Sequence, residues 1–424
     1  MKIKINGTEI VTAGGTILQV ARENQIEIPT LCFLEKVNEI GACRMCIVEI
    51  EGVRGVKPAC VTQVSDGMVI RTDTERLRSM RRMTLELLCK NHLMACTECA
   101  AGMNCKLRDL CKEYGVDDEA FGKGKRKKLV DQTSAHLVRD NSKCILCRRC
   151  VNTCKKVQGI GAIAVAGKSK ETTVGFSLPL NETECVSCGQ CVAVCPTGAL
   201  SIHDDTKKAW KSILARNKTA VPVAIVSPYV CNQIGKEFGE QAEADWTGKT
   251  AAMLRRIGFQ KVYLTGTEVS ICPSWRKYLE VRHPEIASAL PAGNTTPWAA
   301  YAQALRAAFK EDVAITAFSP CTASKIEEQT SIDIALTTRE LGDMWKRACV
   351  SRFTAVTEWE KLPEEPFDVM PEIPVQSHQE PLLSGLANAE ALLSTGNLSD
   401  LTSVLACPGG CRCGGGSPKR ETVF

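Results

Sequence analysis

Two matching runs of cysteine constrain this chain more than any other feature. Cys144-x2-Cys147-x2-Cys150-x3-Cys154 recurs as Cys185-x2-Cys188-x2-Cys191-x3-Cys195-Pro196. Three thiolates within seven residues and a fourth just beyond suit a [4Fe–4S] cubane, and in paired runs the fourth cysteine of each serves the other cluster. The expected wiring is therefore Cys144, Cys147 and Cys150 with Cys195, and Cys185, Cys188 and Cys191 with Cys154. Lys155 stands where proline usually follows the first run, a change that removes no ligand.

The chain has 424 residues, of which 24 are cysteine. Met1-Lys-Ile-Lys-Ile-Asn-Gly-Thr8 reads as a strand entering a turn, so no secretory leader is expected. Nor is there an apolar run of about 18 residues to span a bilayer. Abundant cysteine without an export signal points to metal ligation in the cytoplasm rather than to disulfides. A formal charge of +5 is too weak to imply nucleic acid, and 44% apolar residues exclude wholesale disorder.

The remaining cysteines divide the chain. Residues 1–75 read as a small β-rich unit. Ile3 and Ile5 alternate with lysines, Gly14-Gly15 turns the chain, and Thr16–Glu23 is a short helix. Cys32, Cys43, Cys46 and Cys60 follow at C-x10-C-x2-C-x13-C, which suits a [2Fe–2S] rhomb; a four-cysteine zinc site fits the same spacing. Residues 76–118 form the next unit. A helix is predicted over 72–90, with Thr72 and Glu75 as its capping box and Leu77, Met80, Met83 and Leu87/Leu88 as its apolar stripe. It delivers His92, Cys96, Cys99 and Cys105, one imidazole and three thiolates for a further [4Fe–4S] cluster. Cys89 and Cys111 read as buried small side chains. Residues 112–143, with the basic run Gly122–Lys128, read as a solvated linker, so that 119–204 comprises linker and paired-cluster unit.

The doubled run is that of two-cluster bacterial ferredoxins. The pattern Leu31-Cys…Gly41-x-Cys-Arg-x-Cys…Ala59-Cys resembles the plant-type ferredoxin module heading respiratory NADH dehydrogenase and [FeFe] hydrogenase subunits. One histidine and three cysteines follow that module in both families at the spacing seen here. Gly159-Ile-Gly161 lacks the third glycine and the βαβ room of a dinucleotide site, and Gly248-Lys249-Thr250 lacks the upstream glycine of a P-loop. No flavin or nucleotide site is expected.

Residues 205–424 read as α/β, with strands at Val221–Val226 and Lys261–Leu264 and a helix at Thr250–Ile257 that ends at Gly258. Three cysteine islands punctuate this region, around Cys272, around Cys321, and at Cys407-Pro-Gly-Gly-Cys411-Arg-Cys413. Spacing leaves two readings open here, a cubane gathered from distant loops or scattered buried thiols. The islands resemble, in order, the signature loops of the [FeFe] hydrogenase catalytic domain. Leu336–Leu341 and Gly385–Ala389 also resemble stretches of that family. The resemblance implies that Cys272, Cys321, Cys407 and Cys411 hold a [4Fe–4S] cluster. Active members place a proton-relaying cysteine where this chain has Ile271. They carry Met, Lys and Met where it has Ser319, Ser324 and Leu405. Lys261 and Cys272 are eleven residues apart, a shorter separation than the family's. Cys231, Cys349 and Cys413 receive no role.

The fold class that follows is an α+β and α/β multidomain iron–sulfur protein. It joins a β-grasp [2Fe–2S] domain, a one-His/three-Cys domain, a two-[4Fe–4S] ferredoxin domain and, over 205–424, a truncated [FeFe]-hydrogenase-like domain. The module order resembles the A subunit of electron-bifurcating hydrogenases, and the lost diiron positions resemble the Stn-family transhydrogenases. That likeness implies a relay of one [2Fe–2S] and four [4Fe–4S] clusters without a diiron centre or a catalytic residue of its own. It also implies an FMN subunit that oxidises NADH, an FAD subunit that binds NADP, and soluble ferredoxin as partners. The alternative is an active [FeFe] hydrogenase subunit.

Overall fold

Alternation of isoleucine with lysine at the amino terminus builds a mixed five-stranded sheet. β1 (Lys2–Ile5) and β2 (Thr8–Val11) turn through Asn6-Gly7, both left-handed at φ 51° and 89°, as a tight hairpin turn requires. α1 (Ile17–Glu23) starts at Thr16, which accepts the Gln19 N–H while the Gln19 side chain accepts that of Thr16. β3 (Ile47–Ile50), β4 (Val56–Pro58) and β5 (Val69–Arg71) complete the order β2-β1-β5-β3-β4, with β1 and β5 parallel. α1 buries Ile17, Leu18 and Val20 against Ile3, Ile5, Val48 and Ile70, which is the β-grasp arrangement. The computed structural model describes residues 1–101, 105–122, 124, 129–215, 220–240, 244–266, 272–290, 297–310, 312–326, 331–349, 358–369, 383–386, 389, 393, 404–408 and 411–417.

α2 (Glu75–Lys90) differs from its sequence expectation at both cap and face. Thr74, not Thr72, accepts the Leu77 N–H, because Asn6 engages Thr72: Asn6 Nδ2 donates to Thr72 Oγ1 and Asn6 Oδ1 accepts the Thr72 N–H. The buried stripe is Leu77, Arg81, Leu85 and Cys89, while Met83 and Leu87 are about half exposed. Arg81 displaces the methionine stripe because its guanidinium has partners inside. It donates to the carbonyls of Met45, Ile47 and Thr72. α3 (Lys106–Glu113) packs Leu107 and Leu110 into the core that α2 shares with Leu31 and Met45.

Residues 129–143 are not wholly linker. β6 (Val130–Asp131) and β7 (Leu137–Asp140) pair within them, and Leu137 is fully buried. Arg139 is also buried and donates to the carbonyls of Val174, Asp140 and Ala199. Lys123 and residues 125–128 of the basic run lie outside the described residues. α4 (Arg149–Asn152), the hairpin of β8 (Ile163–Ala166) and β9 (Thr173–Phe176), α5 (Gln190–Ala193) and β10 (Leu200–Ile202) follow. β10 pairs with β7 to give the order β10-β7-β6. Gly159 and Gly161 turn the chain into the β8–β9 hairpin, so no βαβ unit forms there.

The last region opens with α6 (Thr206–Ile213) and builds a four-stranded parallel sheet. Its strands are β11 (Val221–Val226), β12 (Lys261–Leu264), β13 (Val313–Ser319) and β14 (Ile334–Thr337), in the order β12-β11-β13-β14. α7 (Pro228–Gln233), α8 (Thr247–Ile257), α9 (Pro273–Arg282), α10 (Pro284–Ala289), α11 (Pro297–Ala308) and α12 (Thr338–Ala348) surround it. Ala224 and Val226 face one core with Leu254 and Trp345; Val223 and Ile225 face the other with Trp298 and Leu305. A sheet covered on both faces needs this continuous apolar run. Gly248-Lys249-Thr250 falls inside α8, with Lys249 over the Trp246 and Trp359 rings. β15 (Leu383–Ser384) and β16 (Val404–Leu405) form a short parallel pair ahead of Cys407. Among the described residues no helix is long and apolar enough to cross a membrane.

Arg81→Met keeps the length of the side chain and strands three buried carbonyls. The expected loss is about 3 kcal/mol of stability, read as a lower urea midpoint with an unchanged m-value.

Candidate metal centres

The two cysteine runs fold into superimposable loops. Leu146 and Arg148 flank Cys147 in left-handed conformation (φ 57° and 62°), and Ser187 and Gly189 flank Cys188 in the same way (62° and 66°). A left-handed conformation is costly for Leu, Arg and Ser, and it recurs here because it turns backbone N–H groups toward sulfur. Leu146 N–H donates to Cys144 Sγ at 3.4 Å, and Ser187 N–H serves Cys185 likewise. Arg149 and Gln190 N–H groups face Cys147 and Cys188. Arg44, at φ 60°, repeats the device between Cys43 and Cys46, where the Met45 N–H faces Cys43.

Behind the loops lie two sulfur-lined cavities. Cys144, Cys147, Cys150 and Cys195 line one. Cys185, Cys188, Cys191 and Cys154 line the other. The fourth cysteine of each run thus lies with the other run's first three. Cys32 and Cys43 exchange N–H···S contacts at 3.4 Å, and Cys46 and Cys60 sit beside them. Cys272, Cys321, Cys407 and Cys411 are drawn together from the ends of α9, β13 and β16 and from the glycine-rich loop beyond. Cys99 and Cys105 share a core with Leu31 and Met45, and Cys96 and Cys105 both face Cys111. Cys89 and Cys111 pack with their sulfurs 3.6 Å apart across α2 and α3, a juxtaposition that their sequence positions do not reveal. His92 follows the C-cap of α2. Cys231 is a core thiol that burial pushes up to about 12.

The donor chemistry of these sets fits iron–sulfur clusters. Burial and neighbouring sulfurs push the Cys147 thiol up to about 12, and raise Cys150, Cys188, Cys191, Cys321 and Cys411 well above the ordinary value. Buried thiolates at such density stand together only against a cation-rich group. No disulfide joins the cysteines. Among the described residues no three donors converge as one mononuclear ion requires.

The sets adjoin one another through the backbone. Asn38, fully buried, donates from Nδ2 to the carbonyl of Cys32 at 2.6 Å and to that of Cys147 at 3.0 Å, while its Oδ1 accepts from Asn152. Cys105 Sγ lies 3.9 Å from the Pro196 carbonyl, and a Cβ on Gly198 would fall 2.4 Å from Cys99 Sγ. Cys407 Sγ lies 3.9 Å from the Cys188 carbonyl. Gly189 and Gly415 meet backbone to backbone, where a Cβ on Gly415 would sit 2.4 Å from Gly189 Cα.

Four known families match these regions. A 2Fe-2S iron-sulfur cluster binding domain matches residues 1–75, and an NADH-ubiquinone oxidoreductase-G iron-sulfur binding region matches 81–120. A 4Fe-4S dicluster domain matches 143–199, and the C-terminal domain of the iron only hydrogenase large subunit matches 266–380. The NADP-reducing hydrogenase subunit HndD of Solidesulfovibrio fructosivorans is 32% identical, over 87% of this chain and 71% of that one. The chain belongs to the family of hydrogenase-like iron–sulfur subunits. Iron hydrogenase 1 of Clostridium pasteurianum is 28% identical over 82% of this chain and 68% of its own. The NADPH-Fe(3+) oxidoreductase subunit alpha of Geobacter sulfurreducens is 38% identical over 47% of this chain and 24% of its own. This subunit is accordingly an oxidoreductase component of the iron–sulfur electron-transfer kind, with both 2Fe–2S and 4Fe–4S modules.

At three of the positions expected to depart from active hydrogenases, Ser319, Ser324 and Leu405, the side chains are buried. Ser319 Oγ accepts the Cys321 N–H at 3.0 Å, and Ser324 Oγ donates to the Cys321 carbonyl at 2.6 Å. Both serines are fully buried, and Leu405 packs with Cys272, Trp275 and Leu279. Ile271 lies outside the described residues. Lys325, one residue past Ser324, is fully buried and binds Asp205 at 2.6 Å and Glu340 at 2.9 Å. Burial opposes its charge, yet the two carboxylates outweigh burial and raise its pKa. Sequence reasoning missed Asn38 and Lys325. It also missed His136, a buried imidazole 3.8 Å from Cys185 Sγ, because single polar residues carry no spacing signal.

Gly415→Ala forces the 187–190 and 414–416 loops apart. Thermal unfolding is expected to fall by an amount equivalent to about 2 kcal/mol. Gly175→Ala, with nothing within 4 Å of its added Cβ, is expected to melt like the wild type.

Proposed function

We propose that this subunit is an electron relay of one [2Fe–2S] and four [4Fe–4S] clusters within a flavin-based electron-bifurcating NADH/ferredoxin:NADP transhydrogenase. The ligand sets are Cys32, Cys43, Cys46 and Cys60 for the two-iron cluster, and His92, Cys96, Cys99 and Cys105 for the first cubane. Cys144, Cys147, Cys150 and Cys195 hold the second, and Cys185, Cys188, Cys191 and Cys154 the third. Cys272, Cys321, Cys407 and Cys411 hold the fourth. When bound, such clusters accept and release single electrons without proton chemistry of their own.

The chain's own residues supply insulation and spacing. Asn38 couples the first set to the second ferredoxin-type loop, Pro196–Gly198 press the His92 set against Cys195, and Cys188 abuts Cys407. The sets therefore converge on the ferredoxin-like unit and leave it at the hydrogenase-like domain. FMN and FAD subunits and soluble ferredoxin are the partners such a wire requires, since no motif in this chain matches a flavin or nucleotide site.

The observation that carries the absence of hydrogen chemistry is the inward turn of Ser319 and Ser324. A cysteine, methionine or lysine that serves a diiron unit must present its functional group to a cavity. Here the hydroxyls at two of those positions are spent on the backbone of Cys321 itself, and Lys325 is spent on Asp205 and Glu340.

The anaerobically purified subunit is expected to carry about 18 iron atoms per chain and to show no infrared bands from iron-bound CO or cyanide. Such bands, scaling with protein, would overturn this reading in favour of an active hydrogenase.

A further inference from the structure

Ser134 and His136, which belong to no ligand set, form a line of polar atoms that ends on the ligand Cys185. Ser134 and His136 are both 4% exposed. Ser134 Oγ lies 2.5 Å from His136 Nδ1, and His136 Nε2 lies 3.8 Å from Cys185 Sγ. The histidine is held at its backbone too. Its N–H donates to Ser134 Oγ at 3.3 Å, and its carbonyl accepts the His203 N–H at 3.2 Å, one residue before β7 begins.

We infer that His136 is a positioning residue that directs an N–H at the Cys185 sulfur and raises the reduction potential of the cluster held there. The inference rests on the iron–sulfur reading above. One tautomer satisfies every group in the line. Ser134 Oγ accepts the His136 backbone N–H, and its own O–H donates to Nδ1. An imidazole that accepts at Nδ1 carries its proton on Nε2. A cluster-bound cysteinate has no hydrogen and can only accept, so Nε2–H meets the group it needs. Protonation of the ring would leave that same Nε2–H in place.

The consequence is asymmetry within a repeat. The two cysteine runs share loop geometry and the same backbone N–H···S contacts. His136 adds a donor to the second run from outside the repeat. An N–H aimed at a ligand sulfur favours the more negative, reduced cluster. The cluster beside Cys407 would therefore hold an electron more firmly than it does without the His136 ring.

The test is an EPR-monitored redox titration of the full chain with its clusters in place, following the [4Fe–4S] signal that Cys191→Ser abolishes. His136→Phe is expected to lower that midpoint by about 59 mV, a tenfold change in the one-electron equilibrium. His136→Gln, whose amide still offers an N–H, is expected to recover part of the shift. Ser134→Ala keeps the ring and frees its tautomer, and should lower the midpoint by less than His136→Phe. An unmoved midpoint in His136→Phe with full iron content overturns the inference and leaves the relay reading intact. Should His136→Phe lose iron, Ser134→Ala decides, and an unmoved midpoint there overturns the inference. A wild-type chain with no such signal overturns the relay reading together with it.

Discussion

Burying sulfur beside sulfur is the constraint on which the rest of the molecule depends. A thiolate in a low-dielectric interior is expensive, and several together repel one another. The chain answers with left-handed turns that point backbone N–H groups at Cys144, Cys147, Cys185 and Cys188. Those turns then dictate local structure. They start α4 and α5, each from a left-handed N-cap. Regular secondary structure in this region is short because the loops come first.

In the hydrogenase-like domain a four-stranded parallel sheet brings four cysteines together. The polar groups around Cys321 satisfy one another: two serines on the loop backbone, and Lys325 between Asp205 and Glu340. Asp205 lies just ahead of α6, at the exit of the ferredoxin-like unit. The buried ion triad therefore ties the first residue of the hydrogenase-like domain to the domain's interior.

The grouping of the paired runs' cysteines was legible in the sequence, because each run is local and the fourth cysteine of each lies with the other run. Strands β11 and β12 and the α1 helix were legible through their apolar patterns. The α2 face was not, since a buried Arg81 outcompeted Met83 and Leu87 once three carbonyls were available to it. Thr72 lost the cap to Thr74 because Asn6, distant in sequence, donates to its hydroxyl oxygen. Residues 129–143 looked like linker because their few apolar side chains are separated by polar ones. What the sequence concealed are partnerships between distant residues in which one side is backbone.

Asn38 illustrates what such partnerships mean for the history of modular proteins. Its amide addresses the carbonyls of Cys32 and Cys147, and every residue type carries a carbonyl. A junction made this way asks little of the side chains opposite it, so either module can drift or be exchanged between lineages while the seam stays closed. It would also leave little trace as paired substitutions, and residue covariation would underestimate how tightly the modules are joined.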